Sequence, residues 1–246
     1  MSENIEQKDR REGKLWLMDL VNKSAEEFLG ENRFLDRLEV GEVTTEVWRE
    51  FAVQRYAAAM PFEGLLEACK VKAEEMGDEK LTQVLLDNLR DEAGVDEAGQ
   101  VVPELAHSTW RQNFYQGLGL SEVSLATIDE TGGTRSYREA LEELIETGDM
   151  LQLAGAILVL EGSIPREFLR LKRGRDVVFP GLSAEARLYL DDHILHDAKS
   201  HYPDLLGALE KYAKMIVGQK KITEGVRVIA EAKKKFYQDG KWNSLW

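Results

Sequence analysis

Apolar residues recur every three to four positions along almost the whole chain. Trp16, Leu17, Leu20 and Val21 form one such group, Val47, Trp48, Phe51, Ala52 and Tyr56 another, and Leu205, Leu206, Leu209, Tyr212, Ala213 and Ile216 a third. This is the period of helices that bury one stripe, and the period-two alternation of a half-buried strand is nearly absent. Start signals agree with the period: Ser24 with Glu27 and Ser136 with Glu139 have capping-box spacing, Ser183 precedes AEARLYL, and Pro103 and Pro203 suit first turns. Gly30, Gly77, Gly94, Gly119, Gly162 and Gly218 follow or interrupt periodic segments as stops. The pattern predicts about eight helices, at roughly 13–29, 44–76 with a kink at Pro61, 79–91, 103–118, 135–161 with a break near Gly148, 183–201, 203–217 and 219–237. The fold class is therefore all-α, a helical bundle, with residues 1–12 expected as a frayed arm and 13–246 as one domain.

Composition narrows the function classes. Across 246 residues, 45 acidic side chains face 32 basic ones, a net charge of -13. Nucleic-acid binding needs a concentrated cationic face, so it is excluded as an expectation. The longest apolar run, Leu153–Leu160, is far short of the ~18 residues of a membrane span, and the charged N-terminus MSENIEQKDRREGK has no apolar signal segment. Cys69 is the sole cysteine, so no disulfide framework or thiolate cluster forms within one chain, and a cytoplasmic protein is expected.

Candidate chemistry sits in a few places. Three of the four histidines, His193, His196 and His201, fall within DDHILHDAKSHYP. At ~100° per residue an unbroken helix puts His193, Asp197 and His201 on one face, with His196 nearby. Imidazole and carboxylate ligands without thiolates suit iron, manganese or zinc, whereas a solvated acidic helix with paired histidines is the plain alternative. Glu161 ends the run LAGAILVLEG, where a carboxylate is costly unless paired, protonated or metal-bound. The fourth histidine, His107, lies three residues after Glu104, a Glu-x-x-His spacing used by carboxylate-bridged dimetal bundles. Glu92 competes with Glu104 as the matching carboxylate. Among the aromatics, Tyr56, Trp110 and Tyr189 are candidates to line a substrate pocket, although packing accounts for most such residues. The basic stretch Arg170, Lys172, Arg173 and Arg175 could meet an anionic partner or simply balance an acidic surface.

The segments NLRDEAG, HSTWRQNFYQGLGL, LEG-x-x-P and the helix with His193 and Asp197 resemble the heme-oxygenase-like superfamily. Within it the likeness is to the heme-oxygenase-like diiron oxidases and oxygenases, the group that includes the chlamydial protein associating with death domains. The resemblance spans the chain from AVQRYAAAMPFEGLL to PDLLGALEKYAK. It implies a bundle of seven to eight helices holding two non-heme irons, with O2 as co-substrate, a small metabolite such as an amino acid or fatty acid as substrate, and an external reductant. Carried over by position, it implies His107, Glu161, His193 and Asp197 as ligands, with Glu92 at the family's DE-x-G acid and Glu104 the alternative. The family's last ligand falls three residues after the aspartate, which is Ser200 here; a histidine comes only at His201. Either a local bulge brings His201 round or the second iron site is incomplete. Relatives often pair, so a homodimer is expected on the same ground.

Two other readings stand beside this one. Metal-free relatives similar to pyrroloquinoline-quinone synthase and thiaminase II use the fold for acid–base chemistry, and an interaction protein could retain the bundle with a vestigial site. Heme itself is not expected, because no histidine precedes His107.

Overall fold

The computed structural model describes residues 2–121, 127–240 and 242; the side chains of residues 2–11 and 196–198 are outside that description. The described residues form helices α1 (Ser2–Leu29), α2 (Arg33–Glu39), α3 (Thr45–Ala59), α4 (Phe62–Glu75), α5 (Glu79–Ala93), α6 (His107–Gly117), α7 (Gly132–Thr147), α8 (Met150–Val178), α9 (Ala184–Lys199), α10 (His201–Leu209) and α11 (Ile216–Gln238). Two single 3-10 turns, Pro103–Leu105 and Tyr212–Lys214, join them. Among the described residues the only β-type pairing is an isolated bridge from Val95 to Val101, so the all-α expectation holds.

Helix α8 is the axis of the bundle. Every residue from Leu153 to Glu161 is buried, and α1, α2, α4, α9 and α11 pack around it. Its start is fixed by a capping box in which the Asp149 carboxylate accepts from the Gln152 amide while the Gln152 side chain accepts from the Asp149 amide. The closest approach is to α11, where an added Cβ at Gly225 would overlap the Gln152 carbonyl oxygen and one at Gly155 would overlap that of Ile222. Glycine is required there for the two backbones to touch. At the far end Phe34, Trp48, Phe51, Phe236 and Trp242 interleave in an aromatic core, with ring centroids of successive pairs 4.6–5.8 Å apart.

Several predicted boundaries move. Helix α1 extends back to Ser2 rather than beginning near residue 13, because the charged N-terminal run is made of good helix formers even without an apolar stripe. The expected 44–76 helix is two helices separated at Met60–Pro61. Helix α8 does not stop at Glu161; it passes through Gly162 and Pro165 to Val178, held by neighbours on several sides. Ser24 and Ser136 lie inside helices, whereas Asn32, Thr44, Asp78 and Thr131 supply caps that the pattern did not mark. Ser183 does accept the Ala186 amide, and Gly94 ends α5 in the left-handed conformation. No helix among the described residues is long and apolar enough to cross a membrane.

Candidate metal centre

Four helices bring the candidate ligands together. Helix α5 presents Glu92 near its C-terminus, α6 opens with His107, α8 carries Glu161 near its middle, and α9 carries His193. One ligand atom from each of Glu92, His107 and His193 lies within 4.8 Å of the others. The His107 and His193 rings stand 4.3 Å apart, and His107 Nδ1 is 2.9 Å from Glu92 Oε1. All three histidines that can be placed are buried, at 3% exposure for His107 and 6% for His193 and His201.

Glu161 is 2% exposed, and Asn88 donates to its Oε1 at 2.8 Å. Its Oε2 has no hydrogen bond among the described residues and points toward His201, whose Nδ1 is 3.7 Å away. The other ring nitrogen of His201 is 2.9 Å from Asp91 Oδ2. Similarly, His193 Nδ1 is buried without a hydrogen bond. Burial, followed by the neighbouring His107, pushes the His193 pKa well below the usual histidine range, outweighing the Tyr189 carbonyl nearby. His193 is thus a neutral imidazole with a lone pair available, the form that binds metals. A buried carboxylate oxygen without a hydrogen bond is rare and costly, and Glu161 Oε2, 3.7 Å from His201 Nδ1, is placed where a bound cation would satisfy it. The donor set, imidazole nitrogens and carboxylate oxygens with no thiolate, fits iron.

The expected i, i+4, i+8 helix face is not what delivers His201. Helix α9 ends at Lys199, Ser200 adopts φ −122° and ψ −78°, and His201 opens a separate helix. The break turns the chain so that His201 faces Glu161 and Asp91. Glu104 is also displaced: it lies exposed in the 3-10 turn, and the extended Ala106 separates it from His107, so the two share no helix face. Its backbone carbonyl accepts from the Trp110 indole at 2.7 Å. The side chains of His196 and Asp197 lie outside the described residues.

A cavity with about 70 Å³ of free space opens beside this cluster. Tyr189 lines it, as expected; Tyr56 and Trp110 are not among its lining residues. Trp110 packs on His107 at 4.7 Å between rings, and Tyr56 packs edge-on against Tyr115 at 5.3 Å. Three cations that the sequence reading passed over, Arg55, Arg111 and Lys233, also line the cavity. A signal for two of them existed. Arg55 falls on the stripe of Trp48, Phe51 and Ala52, and Lys233 on that of Ile222, Val226, Ile229 and Ala230, where a charge is out of place. The basic stretch of α8, by contrast, is consumed in pairs: Arg170 with Asp36 and Glu39, Arg173 with Glu39, Lys172 with Asp191, and the wholly buried Arg175 with Asp176 and Asp191.

A family model described as iron-containing redox enzyme matches residues 49–234. Among solved structures, a CADD-like protein of unknown function from Nostoc punctiforme is 15% identical with a TM-score of 0.73, covering 93% of this chain and 95% of that one. A TenA homolog from Pseudomonas syringae is 11% identical with a TM-score of 0.72, covering 92% and 90%. At these identities the likeness is one of fold. No curated protein matches the sequence significantly.

Proposed function

From the premise that this chain belongs to the iron-containing redox enzymes, we propose that it is a non-heme diiron oxidase or oxygenase that uses O2 to oxidise a small molecule. The observation that carries the reading is the convergence of Glu92, His107 and His193 in a buried cluster beside a cavity. These three would hold one iron. Glu161 and His201 would share in holding a second, with the orphaned Glu161 Oε2 turned toward that position.

Ferrous iron bound there would supply the electrons for O2 activation, with an external reductant as their source. The chain's own residues do the rest. Burial keeps His193 neutral and ligating, Asn88 fixes the rotation of the Glu161 carboxylate, and Asp91 orients the His201 ring. Leu141, Leu160, Ile164 and Phe168 form an apolar surround that limits water at the reacting centre.

Anaerobic titration with ferrous iron tests the reading. Two tightly held ions per chain, reduced to one on either His193→Ala or His201→Ala, followed by stoichiometric O2 uptake on mixing with oxygenated buffer, are expected. A chain that binds no iron would overturn it in favour of metal-free acid–base chemistry or a non-enzymatic role.

A further inference from the structure

Two side chains able to give up an electron touch the candidate ligand histidines among the described residues. Trp110 packs on His107 with 4.7 Å between ring centroids and meets His193 edge-on at 6.2 Å, and Tyr189 meets His193 at 4.9 Å. They lead to different places. Tyr189 is buried and lines the cavity. Trp110 is half-buried and outside the cavity lining, and its indole N–H donates to the backbone carbonyl of the exposed Glu104 at 2.7 Å. It therefore spans from the ligand rings to the protein surface.

The two also differ in how readily they are oxidised. A phenol sheds its proton as it loses an electron, and the Tyr189 hydroxyl accepts a hydrogen bond from the Arg55 guanidinium at 3.1 Å. Arginine stays protonated, so it cannot take that proton, and its positive charge opposes removal of an electron beside it. An indole can lose an electron while keeping its proton, and the hydrogen-bond partner of Trp110 is a neutral carbonyl. Trp110 is thus the easier donor of the pair. We propose that Trp110 is the exit through which oxidising equivalents leave the metal cluster, and the residue that is modified when no substrate consumes them, which deepens the oxidase reading above and rests on it. A closed site guards its oxidant from side reactions, but an empty cavity offers that oxidant nothing except protein. One electron passes from the indole to the oxidant formed from O2, which is reduced by that electron, and an external one-electron donor such as ascorbate restores the indole. Without a donor, one water adds to the ring: a hydroxyindole forms, two protons go to solvent, and both electrons go to the O2-derived oxidant.

The test uses the full-length chain, loaded anaerobically with ferrous iron and mixed with oxygenated buffer in the absence of substrate. Catalase and mannitol are present to remove free peroxide and hydroxyl radical, and the digested chain is mapped by peptide mass spectrometry. Trp16 is the internal control, because it too is half-buried but lines a separate surface groove with Glu12 and Lys214. Addition of one oxygen atom at Trp110 should exceed that at Trp16 by at least about tenfold, require both iron and O2, and fall about fivefold or more with ascorbate. Trp110→Phe, which keeps a ring on His107, should hold as much iron as the wild type while the added oxygen moves to Tyr189 or the ligand histidines. An unmodified Trp110, equal modification of Trp110 and Trp16, or a mark that forms without iron would overturn the proposal. Should Trp110→Phe not fold, the wild-type map with and without ascorbate decides. Iron and O2 uptake are measured on the same sample: failure of either sinks the oxidase reading and the exit with it, whereas uptake of both with Trp110 intact sinks only the exit.

Discussion

At the scale of single residues, the candidate centre rests on groups that hold its Glu and His side chains as much as on those side chains. Asn88 is the clearest case: it is buried and donates to one oxygen of Glu161, leaving the other turned to the cluster. Removing such a partner usually costs 10–100-fold in metal affinity. Asn88→Leu should weaken ferrous binding by about that factor with little change in thermal midpoint, read by anaerobic titration and circular dichroism; an unchanged affinity would mean that Glu161 is oriented by the metal alone. His107, His193 and Glu161 were legible in the sequence, because scarce histidines and an acid in an apolar run break the local pattern. The choice between Glu92 and Glu104 was not, because a single extended residue, Ala106, moves Glu104 off the face of His107. Asn88 and Asp91 were invisible as well, since polar residues near a helix end carry no signal until their neighbours are known.

At the scale of elements, α8 and α11 run close enough for Lys233, which lines the cavity, to reach Glu167. The crossing turns on Gly155 and Gly225. Two effects oppose each other at Gly225: alanine gains about 1 kcal/mol of helix propensity, whereas its Cβ would collide with a backbone oxygen that no rotamer change can move. Overpacking of this kind costs about 1–3 kcal/mol or more, so the collision wins. Gly225→Ala should destabilise the chain by roughly 1–2 kcal/mol in urea melts, against the gain expected at an exposed helical glycine. Helices themselves were legible from period alone. Their ends were less so: α8 runs through Pro165, and α9 breaks at Ser200, because packing around the chain outweighs the local stop and start signals.

At the scale of the molecule, a buried ionic cluster joins helices distant in sequence: Arg55 on α3, Glu167 on α8, and Lys233 and Tyr237 on α11. Burial raises the Glu167 pKa, but Lys233 and Arg55 lower it by more, and the net result lies below the usual carboxylate range. A depressed folded pKa means that the stabilisation is present above the unfolded value of about 4.5 and is lost as pH falls through the folded pKa. Glu167→Gln should cost about 3–5 kcal/mol at pH 7 because it strands two buried cations. The double variant Glu167→Gln with Lys233→Met should recover much of that loss and show a shallower fall in stability below pH 4.5; urea melts between pH 3 and 7 check both. By itself the sequence determined an all-α bundle, an excess of acidic over basic side chains, and a short set of histidines and one glutamate out of keeping with their surroundings. Those features are local, since a 3.6-residue period or a charge in an apolar run can be read within a few turns of chain. Tertiary structure alone decided that α5, α6, α8 and α9 bring Glu92, His107, Glu161 and His193 together, that a break at Ser200 turns His201 toward them, and that Arg55 and Lys233 face them across a cavity. Such contacts join residues far apart in the chain, and their energies depend on burial and partners that exist only once the helices have packed.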